Sequence, residues 1–282
     1  MRLLSGLIPL LLTATILLAG ERVSPDRRFT WSEKDDFVTA VTFDRKGRRK
    51  EDRLRLPPLS KKGMRRRLLF AERGEFFCVL DEATREVGLH LDKPRGSSEA
   101  KTTVIASSLR LMDGRGKLRW TRRMRANHIV GSRDGSRALR LSPSGTLAML
   151  LQDPDPYTRT RPLLLVIDAD GTELLRLDYT SWTRIDDFAL SDAGDALAVR
   201  GFGSIPDEET WGKAFAYYLT RDDARWVHRA RRASGEGLPL HIAQDGWACC
   251  IKRGRSLLAF GPEGRTKRVD ADEDRKGSEG GP

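Results

Sequence analysis

Few residues of this chain have the types and spacing that chemistry requires. The nearest approach to a metal motif is Asp168-Ala169-Asp170-Gly171. A calcium loop of the EF-hand kind needs glycine at its sixth position and glutamate at its twelfth. Counted from Asp168, those places hold Glu173 and Tyr179, so the run reads as a turn and no metal ligand set is assigned. His90, His128, His228 and His241 are scattered, and no pair has the i, i+4 spacing of a helical zinc site. Ser204 lies in GFGSIP, which is not the G-x-S-x-G nucleophile elbow. Asp186-Asp187 and Glu208-Glu209 are paired acids, but neighbours in a strand point to opposite faces and loop pairs have no fixed geometry. No phosphate loop or dinucleotide fingerprint occurs. The sequence therefore assigns no catalytic residue and no cofactor. An acid–base pair assembled from distant segments would leave no local trace.

Binding residues are more legible. Tyr157 sits in QDPDPYTRTRP beside Arg159 and Arg161, and Trp211 sits in SIPDEETWGK. A loop aromatic near charges serves either as a ligand platform or as the anchor of its own loop. The formal net charge is +11, and the arginines cluster in RKGRRK (45–50), KKGMRRR (61–67), RWTRRMR (119–125) and RWVHRARR (225–232). Within these, Arg122, Arg123, Arg125, Arg229, Arg231 and Arg232 end predicted strands. Such clusters favour an anionic partner. The competing account is a set of solvated outer strands whose charge blocks edge-to-edge pairing.

What must position these residues is a repeat. LSPSGTLAML (141–150) and LSDAGDALAV (190–199) are one pattern, and FAERGEFFCV (70–79) and IAQDGWACCI (242–251) are looser copies. Each reads as strand A, a tight turn ending in glycine, and strand B. A second pattern alternates with the first: LRLMDGRGKLRW (109–120), LLVIDADGTELL (164–175), AYYLTRDDARW (216–226) and LLAFGPEGRTKR (257–268) read as strands C and D around another tight turn. Glycine suits such turns because they require positive φ. Gly145, Gly194 and Gly246 recur at about 50 residues, close to the roughly 40–50 residues of a four-stranded blade. FTWSE and FVTAVTFDRKG supply a further, incomplete unit near the N-terminus.

These turns and the hairpins ending in Trp120 and Trp226 resemble β-propeller repeat proteins of the WD40-like, TolB-like and quinoprotein-like kinds. The resemblance implies an all-β propeller of about five four-stranded blades over 29–269. It carries over no catalytic residue, since the WD dipeptide and a quinone site are absent.

Residues 1–20 read as a secretory signal peptide, with Arg2 ahead of an apolar run from Leu3 to Leu18. An uncleaved anchor is the alternative, although the run is short against the roughly 20 residues of a membrane span. Either way the repeats are expected outside the cytoplasm, after a linker at 21–28. Residues 270–282, DADEDRKGSEGGP, read as a disordered tail. Cys78 and Cys250 fall at one B-strand position and read as buried thiols, with a disulfide possible only if their blades face each other.

The long insertions, 85–101, 152–162 and 201–213, all fall between strands B and C. In an antiparallel blade that edge also receives the D–A connections and the basic ends of strands D. Insertions on one face of a repeat fold often mark its binding face. The reading is thus a noncatalytic binding or scaffold propeller of the cell envelope, secreted or periplasmic. Its expected partner is a protein or an anionic envelope component such as acidic lipid or polysaccharide, not nucleic acid. Two other classes remain: a hydrolase or lyase on sugars with a site in a central channel, and a membrane-anchored sensory or interaction domain.

Overall fold

The computed structural model describes residues 21–24, 28–32, 36–43, 46–59, 64–71, 76–87, 101–125, 139–151, 161–204, 213–222, 225–233, 236–237, 240–253, 256–261 and 265–270. Alternating apolar positions with glycine-ended turns every few residues favour short antiparallel strands, and twenty strands form among the described residues. They make five four-stranded sheets, each a simple meander of sequence neighbours.

Blade 1 comprises β1 (Glu21–Val23), β2 (Phe29–Ser32), β3 (Phe37–Phe43) and β4 (Arg49–Arg55). Blade 2 comprises β5 (Met64–Phe70), β6 (Phe76–Val87), β7 (Lys101–Asp113) and β8 (Leu118–Arg125). Blade 3 comprises β9 (Leu139–Leu141), β10 (Leu147–Leu151), β11 (Leu163–Ile167) and β12 (Glu173–Asp178). Blade 4 comprises β13 (Arg184–Leu190), β14 (Ala196–Gly203), β15 (Lys213–Asp222) and β16 (Arg225–Ala233). Blade 5 comprises β17 (Glu236–Gly237), β18 (Ala248–Arg253), β19 (Ser256–Phe260) and β20 (Thr266–Asp270), with Ile242 bridging Ala248. The chain is divided into two compact units, Met1–Leu56 and Pro57–Pro282, so blade 1 stands in the first and blades 2 to 5 in the second.

The repeat is realised turn by turn. Gly145, Gly194 and Gly246 have φ of 84, 78 and 82°. Each donates its N–H to the carbonyl three residues back, on Ser142, Ser191 and Ala243. The closing bond then differs: Ser142 N–H reaches Thr146, whereas Ser191 N–H reaches Ala196, one residue further past the glycine. In blade 4 the Ser191 hydroxyl absorbs that extra residue by accepting from the N–H groups of Asp195 and Ala196. The C–D turns match as closely. Asp113 Oδ1 accepts from Arg115 and Lys117, and Asp168 Oδ1 accepts from Asp170 and Thr172. Asp168 thus closes its own turn, as the ligand mismatch implied.

Three expectations change. The N-terminal unit is a four-stranded sheet, because Glu21–Val23, inside the segment read as linker, pairs with β2 as an edge strand. A three-residue strand is too short to show periodicity. Trp247, read as a strand residue, ends the A–B turn of blade 5, and Gly261 lies hard against its ring. The insertion read as 85–101 is shortened, since β6 runs to Val87 and β7 starts at Lys101. Residues 1–20 and 271–282 lie outside the described residues. Among the described residues, no helix is long and apolar enough to cross a membrane.

The core of the second unit is made of residues that face neighbouring blades. One cluster joins Leu109 and Leu111 of blade 2, β10 and β11 of blade 3, and Leu197, Val199 and Tyr217 of blade 4. A second joins Ala198 and Tyr218 of blade 4 to Ile242, Ala248 and Phe260. Strands β10 and β11 are buried on both faces, which explains their unbroken apolar sequence. Cys78 is a free, fully buried thiol, and its repeat counterparts Met149 and Ala198 are also fully buried. Desolvation drives the Cys78 thiol well above its ordinary range. The side chain of Cys250 lies outside the described set.

Candidate functional site

Alternation along β8 builds the site. In a strand, residues i, i+2 and i+4 share a face, and Trp120, Arg122 and Met124 turn toward blade 3. At the C–D end the Trp120 indole donates to the Asp168 carbonyl at 3.0 Å. Midway, Arg122 pairs with Glu173 at 3.0 Å. At the B–C end Met124 meets the last residue of β10, Leu151, and the first of β11, Leu163. There the two blades part and leave a cavity of about 190 Å³ lined by Arg122, Arg123, Met124, Leu151, Leu163, Leu165 and Arg176.

Burial divides this lining. Met124, Leu151, Leu163 and Leu165 are buried and form an apolar floor. Arg123 and Arg176 are exposed, and Arg122 is half-buried, so the polar part of the lining comes from arginines. Two of them are partly spent. Arg122 and Arg176 both approach Glu173, and Arg176 also holds Asp178 through two hydrogen bonds. The bond to Asp178 is the first cause that raises the Arg176 pKa further. Arg123 makes no ion pair with a described residue. By contrast, Arg119, at the C–D end of the same strand, is held by Asp170 at 2.7 Å.

Of the residues singled out in the sequence, the structure brings Arg122 and Arg123 together at this cavity. Arg161 is exposed two residues before β11, at the same B–C end. The backbones of Arg125, Arg231 and Arg232 lie at the ends of β8 and β16 and that of Arg229 at the bulge midway along β16, while their side chains lie outside the described set. Tyr157, Arg159 and Trp211 lie outside the described residues altogether. Sequence reasoning missed Arg176, whose place in the lining follows from its register opposite Leu165. It also missed Trp182 and Phe202, which are 61% and 45% exposed at the B–C and D–A end of blade 4. Trp182 lies in the connection before β13, where a large aromatic is a signal, whereas Phe202 lies within β14.

Buried acids elsewhere are paired. Asp81 takes Arg66 through two bonds and Arg110 at 2.9 Å, and Glu82 takes Arg67 at 2.5 Å. Asp187 ties three blades: its carboxylate accepts from Arg140 of β9 at 3.2 Å and from the Leu240 N–H, between β17 and β18 of blade 5, at 2.8 Å. Its neighbour Asp186 is the bulged residue of β13 and pairs outward with Arg184. Among the described residues no three His, Cys, Asp or Glu side chains gather as a metal site would require. The two hairpin tryptophans are not equivalent, because the buried Trp226 indole N–H has no acceptor among the described residues.

No protein-family model matches the chain. No curated protein matches it either. Solved structures share the arrangement of sheets only distantly. A hydrazine synthase of Kuenenia stuttgartiensis is 14% identical over 91% of this chain and 65% of its own, with a TM-score of 0.37. An acylaminoacyl peptidase is 10% identical over 72% of this chain and 32% of its own, at 0.40. The β-propeller domain of the trilobed protease of Pyrococcus furiosus is 8% identical over 90% of this chain and 69% of its own, at 0.34. The chain thus spans less than two thirds of the length of the first two. Likeness at this level carries neither activity nor partner to this chain.

Proposed function

We propose that this chain is an extracytoplasmic, noncatalytic propeller module that binds an anionic component of the cell envelope through its B–C end. The observation that supports this most is the asymmetry along β8. Toward the C–D end its arginine is neutralised by Asp170, and toward the B–C end Arg123 is exposed beside an apolar cavity without an acidic partner among the described residues. Exposed Trp182 and Phe202 on the same end of blade 4 are apt for contact with a partner. The paired state of Asp81, Glu82 and Asp187 favours a structural over an acid–base role for them. Export rests on the apolar run of residues 1–20 behind Arg2.

Binding of this kind is tested by co-sedimentation with vesicles containing acidic lipid across a salt series. Coulomb attraction between exposed charges is screened within about 10 Å at 0.1 M salt, so binding should fall steeply as salt rises. Binding that ignores salt, or that is equal for neutral vesicles, would contradict the reading.

A further inference from the structure

Resting on that reading of an anionic partner, we propose that the face of blade 2 turned away from the cavity carries a binding site for a phosphate monoester. Strand alternation defines this face. It turns Arg123 away from Arg122 and Met124 and sets it opposite Ser108 on β7. Ser108 stands opposite Asp81 on β6, and Asp81 opposite Arg66 on β5. Two residues along β7 toward the C–D turn, Arg110 stands opposite Thr121. Ser108, Arg110, Thr121 and Arg123 therefore form a square on two strands, with the arginines on one diagonal and the hydroxyls on the other. Its sides are about 5 Å across the strands and about 7 Å along them, a span that long side chains bridge. Arg66 and Asp81 are buried, Ser108 and Arg110 half-buried, and Thr121 and Arg123 exposed. The square thus opens to solvent at β8 and is backed by the Arg66–Asp81 pair.

Charge on this face is unbalanced. Arg66 takes both oxygens of Asp81, Oδ1 from Nε at 2.6 Å and Oδ2 from Nη2 at 3.1 Å. Arg110 Nη1 lies 2.9 Å from Oδ2, yet it is buried and has no hydrogen-bond partner among the described residues. The approach is an ion contact without an aligned hydrogen bond, so the Arg110 donors are unspent. Arg123 makes no ion pair with a described residue, and the Ser108 and Thr121 hydroxyls make no hydrogen bond with one. Three guanidinium groups against one carboxylate leave two positive charges. Arg125, at the next position of this face on β8, adds to them at the B–C end. The surplus matches a phosphate monoester, which carries about −1.5 to −2 charges near pH 7 on three acceptor oxygens. Planar guanidinium forks match paired phosphate oxygens, and the hydroxyls donate to an oxygen that the forks leave. A sulfate ester or a phosphodiester brings one charge and leaves one arginine uncompensated.

The test is calorimetric titration of the purified protein at low salt with methyl phosphate, with methyl sulfate as the comparison of the same shape and lower charge. The expected result is saturable one-to-one binding of methyl phosphate, about tenfold or more tighter than methyl sulfate. Arg110→Gln and Arg123→Gln should each weaken it about tenfold or more, the loss expected of charge-assisted hydrogen bonds. Arg123 is exposed and holds no acid, so its variant reads the site even if Arg110→Gln disturbs the buried Asp81. Arg65→Gln removes the same charge from an exposed position on the opposite face of blade 2 and should leave binding unchanged. Equal affinity for the two esters, equal losses in Arg65→Gln and Arg123→Gln, or no saturable binding would overturn the proposal. Vesicles carrying phosphatidate or phosphatidylglycerol separate the sources of the phosphate. Tighter binding to phosphatidate, displaced by methyl phosphate, assigns the site to a lipid head group; methyl phosphate binding without that preference assigns it to a phosphorylated sugar or other soluble ester. If acidic vesicles bind with salt-sensitive affinity while methyl phosphate does not bind, the phosphate site fails and the B–C reading stands. If neither binds, both fail.

Discussion

Gly194 of one A–B turn packs directly on Thr146 of the preceding one: a Cβ at Gly194 would lie 2.5 Å from the Cβ of Thr146. No real Cβ contact is so close, so consecutive blades stack through a position that only glycine can fill. Ser144 strengthens the joint by donating to the Ala193 carbonyl at 3.1 Å. Gly194→Ala should therefore meet both the positive-φ penalty, about 1–2 kcal/mol, and an overpacking penalty of about 1–3 kcal/mol. Gly47 has φ of 74° but open space around its α-carbon, so Gly47→Ala should show the first cost alone. Urea unfolding of the two variants compares them, and equal losses would remove the packing argument.

Trp120 makes an indole bond to the Asp168 carbonyl and so fastens blade 2 to the C–D turn of blade 3. Trp120→Phe keeps most of the apolar surface and deletes the donor. Stability should fall by about 1 kcal/mol. Trp226→Phe deletes an indole N–H that has no acceptor among the described residues, so it should cost less or stabilise. A larger loss at Trp226 than at Trp120 in chemical denaturation would contradict this.

The hydroxyls of Tyr179 and Tyr217 are bonded to each other in the interior between blades 3 and 4. Desolvation raises both pKa values above the ordinary range. Above about pH 10 the unfolded tyrosines ionise while the folded pair keeps its protons. The folded state then binds more protons, so stability is complete below that pH and falls as pH rises. The double variant Tyr179→Phe with Tyr217→Phe should show a shallower alkaline loss in thermal melts at pH 9 to 11. An unchanged slope would place the alkaline sensitivity elsewhere.

Asp81 is buried with two arginine partners, Arg66 and Arg110. Asp81→Asn keeps the shape and removes the charge, leaving two guanidinium groups without compensation. A loss of about 3–5 kcal/mol is expected for breaking a buried pair from one side. A loss below 1 kcal/mol in urea unfolding would show that water reaches this cluster.

The turns were the most legible part of the fold, because glycine with positive φ, and aspartate closing its own turn, are local requirements written in a few adjacent residues. Blade identity followed from them. Strand β1 was not legible, since three residues cannot show alternation and its partner lies across a turn. The one-residue difference in turn closure between Ser142 and Ser191 was hidden by near-identical sequence. At the site, Arg122 and Arg123 could be picked out as a basic strand end. The cavity beneath them could not, because it depends on Leu151 and Leu163 of another blade being brought beside Met124. Arg176 and Asp187 were missed for the same reason: their roles are set by register and by neighbouring blades, not by neighbours in sequence.

Two triple variants measured side by side decide whether the B–C end is the binding face. In one, Arg229, Arg231 and Arg232, from the bulge to the B–C end of β16, are changed to Ser. In the other, Arg48, Arg49 and Lys50, at the C–D end of blade 1, are changed to Ser. Both remove the same formal charge, and neither changes a residue that lines the cavity. Binding to acidic vesicles at low salt should fall strongly in the first and little in the second. Equal losses would mean that the net charge of +11 acts diffusely and that no face is built for a partner.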